Sequence, residues 1–407
     1  MNKMTINNLK GIILADTANL LSELSGLRRH FHMNPELSFE EHETAGYICS
    51  RLDEYGIPYR KGITGTGIIA EIKGSLEGDT VIALRAEMDA LPVIERNKVP
   101  YASRTEGRMH ACGHDAHMAM LLVTARMLKS IQDKFGGTVL LVFQPGEELS
   151  PGGARIMIES GALKDPEPDI VIAHHVLPEL ETGKVGYKAG MYMASSDEIY
   201  ITVTGTGGHA ALPHLVTDQI YLASKLIIRI KDEISAISEE KKIPTVLGIG
   251  RIRGDGATNV IPETVEISGT LRTFDEEWRK EAKEIIRRIA GSIEEEYGVR
   301  AEVRFAEGYP VLVNNKELTS AAMNLSRELL GNDNVETFDL RMSSEDFAFF
   351  SAAFPSLYYR IGIKKEGEKI RMLHSPDFDI DEEGMITGVA NMCWLAINFL
   401  KNVKKIL

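Results

Sequence analysis

At 407 residues, with 43% hydrophobic and 26% charged residues, the chain has the composition of an ordinary soluble globule and the length of two domains. A formal charge of −13 and a pI near 5.4 argue against nucleic acid or an anionic membrane as the main partner, since either demands a basic face. Three scattered cysteines, Cys49, Cys112 and Cys393, imply no disulfide framework, and the apolar stretch from Ile12 to Leu14 is too short for a signal peptide or a spanning helix, so a cytoplasmic location is expected.

In chain order, residues 5–31 and 39–55 carry helical apolar spacing. Four continuous apolar runs follow, Gly67–Ile72, Val81–Leu84, Val139–Phe143 and Ile170–Ala173, as in strands buried on both faces. An amphipathic helix over Asp115–Lys129 separates two of them. The alternation predicts an α/β domain with a mixed, mainly parallel sheet flanked by helices, and open sheets of that kind bind ligands at the carboxyl ends of their strands. Around Met193 the pattern changes. Ile199, Ile201 and Val203 alternate with polar neighbours, as in a half-exposed antiparallel strand. A helix bearing Ile220, Ala223, Ile227, Ile230, Ile234 and Ile237 follows, then strands over Thr245–Arg253 and Thr264–Thr273. Next come a helix bearing Trp278, Ala282, Ile285, Ile286, Ile289 and Ile293 and a strand with Ala301, Val303 and Phe305. The order β-α-β-β-α-β is that of a ferredoxin-like α+β unit, so residues 194–308 are expected to form an inserted domain, with 1–193 and 309–407 building the first. Beyond Tyr309, helices are expected near 316–330, from Ser343-Ser344-Glu345-Asp346 and from Asp381 to Leu400, with a strand near 356–362.

Several strand ends run into residues able to do chemistry. Asp89, in Arg85-Ala86-Glu87-Met88-Asp89, can orient a histidine ligand through its second ring nitrogen, or cap the turn before Pro92. Cys112-Gly113-His114 can offer a thiolate and an imidazole to a common metal, although a lone cysteine is more often a small buried hydrophobe, and His110 and His117 compete for the role. Glu147-Glu148 follows a strand and a Pro-Gly turn. Adjacent residues on such a backbone point to different sides, so one carboxylate can hold a metal while the other takes a proton from water. His174-His175 ends the run DIVIA, and only one of the two need face a cleft; His374 alone says little. His209 in GTGGH and Asn259 in ATNVIP can serve an oxyanion or a substrate carboxylate, or be turn residues.

The ordered strings ALRAEMDALPV, MHACGHDAHMAMLL, VFQPGEE, GTGGHAALPH, ATNVIP, SSEDFAFF and MLHSPDFDIDEEGM resemble the metallopeptidase family of aminoacylases and glutamate carboxypeptidases. Within it they look like the amidohydrolase branch of hippurate hydrolases, N-acyl-amino-acid deacylases and indole-acetyl-amino-acid hydrolases. The resemblance runs from about Leu27 to Gly388 and implies a catalytic domain with two divalent metals (Zn, Mn, Co or Ni) and an inserted lid domain that also forms a homodimer. It implies Cys112, His114, Glu148, His175 and His374 as ligands and Glu147 as general base, with Cys112 standing where relatives outside the branch carry a metal-bridging aspartate. His209, from the partner subunit's lid, is implied as oxyanion donor and Asn259 as a holder of the substrate carboxylate. The chain departs from the branch at Glu87, where an aspartate is usual. The implied reaction is hydrolysis of N-acyl-L-amino acids or short peptides to a carboxylic acid and a free amino acid. Two other readings remain at this point: Cys112 as a covalent nucleophile with His114 or His175 as base, and a non-catalytic binder of acyl amino acids, against which the intact Glu147 speaks.

Overall fold

The computed structural model describes residues 3–407, which divide into two compact units. The first comprises the chain up to Gly190 with Val313–Asp339 and Asp346–Leu407; the second comprises Met191–Leu312 and Leu340–Glu345.

The first unit is built on an eight-stranded sheet in the order Tyr59–Ile63, Gly67–Lys73, Gly136–Gln144, Leu76–Glu87, Ile170–Glu181, Ser356–Lys364, Val185–Tyr187, Val335–Thr337. Its centre is parallel: the Leu76 strand runs parallel to both the Gly136 and the Ile170 strands, and the Ser356 strand continues that direction. The apolar runs are continuous because these strands are covered by structure: Leu84, Leu141 and Ile172 are fully buried in a core shared with the helices His114–Ser130 and Gly384–Ile406. Those two helices also pack on each other.

Three expected helices need correction. The helix expected over 5–31 is two helices, Lys3–Asn19 and Leu21–Met33, because the Leu20 N–H bonds back only three residues to the Thr17 carbonyl and breaks the i→i−4 ladder. The helix expected from 39 starts at His42, since Phe39 sits at φ +66, outside the right-handed region. The helix expected from Ser343 is the short Ala348–Ala353: Asp346 is drawn instead to Arg85, Gln144 and the Ala154 N–H.

The second unit is a four-stranded antiparallel sheet in the order Thr245–Arg253, Thr264–Thr273, Asp197–Thr204, Arg300–Glu307. The helices Gln219–Lys241 and Glu276–Tyr297 cover it, giving the β-α-β-β-α-β order. Alternation places Ile199, Ile201 and Val203 in its core beside Leu226, Ile230, Ile286 and Ile289. Asp218 and Asp275 accept the Tyr221 and Trp278 N–H groups and so start the two helices.

Candidate metal centre

Four segments of the first unit deliver donor atoms to one place. Gly113 turns left-handed at φ +87 between Cys112 and His114, and a Cβ there would run into the Val176 side chain, so the tight turn needs glycine. His175 lies within the Ile170 strand and not at its end as expected. It comes just past Ala173, the last residue paired with the Leu76 strand, so the strand has lost one neighbour at this point. The His374 N–H donates to the Ala111 carbonyl at 2.8 Å, which pins the MLHSP loop to the cysteine turn. The turn after the Gly136 strand brings Glu147 and Glu148. Cys112 Sγ is 3.3 Å from both His175 Nε2 and His374 Nε2, and His374 Nε2 is 3.3 Å from Glu148 Oε1. Glu147 Oε2 is 3.9 Å from His114 Nε2. Two donor groups, Cys112/His114/His175 and Cys112/Glu148/His374, each with ligand atoms within 4.8 Å of one another, share the sulfur.

The donors fit a pair of divalent cations. His114 Nδ1 and His175 Nδ1 donate to the carbonyls of Asp89 and Val176, both at 2.8 Å, leaving Nε2 of each ring for the centre. His114 Nε2 and Glu148 Oε1 are buried without making a hydrogen bond. Burial pushes the Cys112 thiol well above its usual range, and Glu148 and Glu147 push the same way. Burial disfavours a charged His114, yet the bond to Asp89 and the charges of Glu87, Asp89 and Glu148 hold it up to about 10. Protons held by surrounding carboxylates are what a divalent cation displaces when it brings its own charge. Burial, then His117, pushes His175 well down, towards the neutral imidazole that ligates. Thiolate, imidazole and carboxylate together suit borderline ions. A nucleophilic cysteine needs a depressed pKa, the opposite of what surrounds Cys112.

Neighbouring groups hold the donors in place. Asp89 Oδ1 is 3.3 Å from His114 Nδ1, while Oδ2 accepts the Glu148 N–H at 2.9 Å and the Ser38 hydroxyl at 2.7 Å. Burial opposes the Asp89 charge, but His114 and that N–H hold its pKa below the usual range. Glu87 bonds His117 Nδ1 at 2.9 Å and pairs with Arg85. His117 Nε2 accepts the Val176 N–H at 3.0 Å, so neither of its nitrogens is left for an ion although it stands near Glu87 and His114. His174 turns to the Tyr359 hydroxyl, 3.2 Å away. In the second unit, His209 and Asn259 meet on one ribbon: His209 pairs with Val260, and the Ala210 N–H donates to the Asn259 carbonyl at 2.9 Å. Sequence reasoning missed two supports, residues 36–41 and the pair Arg28 and His32 that grips Asp115. The only signal for the former is an acid-rich run mistaken for a helix start.

Residues 83–398 match Peptidase family M20/M25/M40. The chain is 39% identical over 371 residues to N-acetyl-L-cysteine deacetylase of Bacillus subtilis, covering 91% of this chain and 86% of that protein. It is 37% identical over 377 residues to Thermostable carboxypeptidase 2 of Saccharolobus solfataricus, covering 92% and 94%. A Bacillus subtilis crystal structure described as a dinuclear metal binding peptidase from the M20 family matches with TM-score 0.79 and 34% identity, over 94% of this chain and 99% of that chain.

Proposed function

The chain belongs to peptidase family M20/M25/M40, and on that premise we propose that it cleaves the amide bond of N-acyl-L-amino acids, releasing a carboxylic acid and a free amino acid. It is a metal-dependent hydrolase. The names of the two relatives, a deacetylase of an N-acetylated amino acid and a carboxypeptidase, both denote cleavage of an amide whose amine half is an amino acid, so short peptides belong to the substrate range tested. The observation that carries the reading is one sulfur common to two donor groups, with the Glu147 carboxylate beside them.

Cys112, His114, Glu148, His175 and His374 hold two divalent cations, for which Zn, Mn, Co and Ni are all suited by the mixed donor set. When bound, such a pair polarises a carbonyl and lowers the pKa of water. Glu147 takes the proton as water adds to the amide carbon and delivers it to nitrogen as the C–N bond breaks. Asp89 keeps the His114 ring in register. His209, acting from the partner subunit, stabilises the oxyanion, and Asn259 holds the substrate carboxylate.

The first unit is the catalytic domain and the second the lid and dimerisation domain. Supporting a homodimer, the helix Gln219–Lys241 exposes Ile220, Tyr221 and Ile228 beside the edge strand Thr245–Arg253, a combination that favours pairing with a second copy. A reducing, cytoplasmic location fits three unpaired buried cysteines. No helix among the described residues is long and apolar enough to cross a membrane.

Dialysis against a chelator is expected to abolish hydrolysis, and Mn, Zn, Co or Ni to restore it, on a panel of N-acetyl, N-benzoyl and N-indole-acetyl amino acids and dipeptides. Activity that survives chelation and is lost to a thiol alkylating reagent would instead identify Cys112 as a nucleophile. Binding of the panel with no turnover under any metal would make the protein a binder.

A further inference from the structure

Glu41 precedes the helix His42–Glu54 at its N-cap position, yet its side chain does not cap that helix. The carboxylate is fully buried and points elsewhere. Its Oε1 accepts two main-chain N–H groups, from Phe39 at 2.9 Å and from Gly146 at 2.8 Å, and its Oε2 accepts the Thr66 hydroxyl at 2.7 Å. Gly146 is the residue immediately before Glu147. It sits at φ +58, and a Cβ there would run into the Phe39 ring, so the ring lies directly over this turn. Phe39 itself holds φ +66, a conformation that a residue with a side chain adopts only when its surroundings enforce it. The same short segment reaches the other carboxylate turn. The Ala90 N–H donates to the Glu36 carbonyl at 2.8 Å, Leu37 bridges Ala90, and Ser38 donates to Asp89. Asp89 in turn receives the Glu148 N–H.

We propose that residues 36–41 form a brace for the metal centre in which Glu41 is the positioning residue for the Gly146-Glu147 turn, while Ser38 and Asp89 hold the Glu148 side. The proposal rests on the hydrolase reading above. A carboxylate able to move a proton between water and an amine has to be held within a few tenths of an ångström, and a turn entered through a left-handed glycine has little stiffness of its own. The two clamps grip the Gly146 and Glu148 N–H groups, one on each side of Glu147, and so separate the duties. Loss of the Asp89 clamp loosens a ligand; loss of the Glu41 clamp loosens the base and leaves the ligand held.

Chemistry supplies the test. A glutamine at 41 can still accept both N–H groups on Oε1 and can donate from Nε2 to the Thr66 hydroxyl, so Glu41→Gln preserves the clamp and Glu41→Ala removes it. For E41A, kcat on an N-acyl amino acid is expected to fall by about 100-fold with KM within about threefold, and E41Q is expected to stay within about threefold of wild type. Bound metal per chain is expected to be unchanged in both. Deuterium exchange is expected to speed up in E41A alone, in the peptides around 144–149 and around Phe39 whose N–H groups Glu41 accepts, with the rest of the chain unaltered. An unchanged kcat in E41A, an E41Q as damaged as E41A, or a loss of activity matched by loss of metal or uniform faster exchange would each overturn the proposal. Phe39→Leu, which removes the ring over Gly146 without burying a lone polar group, guards against an E41A that does not fold; unchanged exchange at 144–149 and unchanged kcat there would overturn it equally. A wild-type protein without chelator-sensitive hydrolysis would sink the parent reading, and the exchange data would still decide whether Glu41 holds the turn.

Discussion

Glu147 and Glu148 have the same side chain and different surroundings. Glu148 has its N–H fixed by Asp89 and its Oε1 3.3 Å from His374, which suits a ligand. Glu147 is only 7% exposed and lies near His114 Nε2. Glu147→Gln keeps the shape and removes the proton acceptor, so kcat is expected to drop by about 10³-fold or more while metal per chain, read by mass spectrometry, stays the same. A kcat within tenfold of wild type would take Glu147 out of that role. Cys112→Ala is a different lesion, because it deletes the donor common to both groups. Bound metal is expected to fall below the wild-type stoichiometry together with activity, and full metal occupancy would refute a shared sulfur ligand. At this scale the sequence was legible where turns are tight: Cys112 with His114, and Glu147 with Glu148, have few ways to point. It was less so for His174 and His175, since alternation says only that they face opposite sides, and it takes the Tyr359 hydroxyl to claim one of them. The hold on His114 by a main-chain carbonyl leaves no trace in residue types at all.

The elements carrying the donors are tied together by buried charge. Arg28 and His32, on the helix Leu21–Met33, both bond Asp115 beside His114, at 2.9 and 2.7 Å. Arg28 also reaches Asp379 at 2.7 Å, in the segment after His374. Burial alone would lower the pKa of His32, but Asp115 and Glu95 hold it up to about 9. A folded-state pKa above the unfolded 6.5 means stabilisation that is complete below pH 6.5 and is lost as pH rises through 9, on the order of 3 kcal/mol in all. His114, held up to about 10 while no metal is bound, acts in the same sense, so the Tm of the metal-free protein is expected to fall between pH 6.5 and 10, with His32→Gln making that slope shallower and His114 supplying the remainder; an equal slope in both proteins would show that His32 contributes nothing to it. The central strands were readable because burial on both faces leaves a continuous apolar run. The short strands Tyr59–Ile63, Val185–Tyr187 and Val335–Thr337 were not, since three to five residues carry no period and owe their conformation to a paired neighbour. The false helix start at 39 has a related cause: Glu40 and Glu41 have the composition of a first turn, and only the contacts of Phe39 and Glu41 reveal a brace.

For the whole molecule, the second unit was the more legible, because its strands alternate, its helices have a single apolar face and aspartates mark both helix starts. What local patterns leave open is whether His209, proposed as the oxyanion donor, would act on its own chain or on a second copy. A pair of variants decides it. Glu147→Gln and His209→Ala, each purified alone, are both expected to be poorly active, the second with its metal content intact. Coexpressed in equal amounts, they form mixed dimers in about half of the cases. If His209 serves the partner's site, each mixed dimer has one site with Glu147 and His209 both intact, and the mixture recovers about a quarter of wild-type activity. If His209 serves its own chain, both sites of a mixed dimer are damaged and nothing is recovered. Adding Ile228→Glu to both chains puts a charge on the exposed face of the helix Gln219–Lys241. It is expected to shift the protein to monomers in sedimentation and to abolish the recovery. A protein that still sediments as a dimer would contradict the dimer surface, and recovery that persists in a protein sedimenting as a monomer would contradict the shared site.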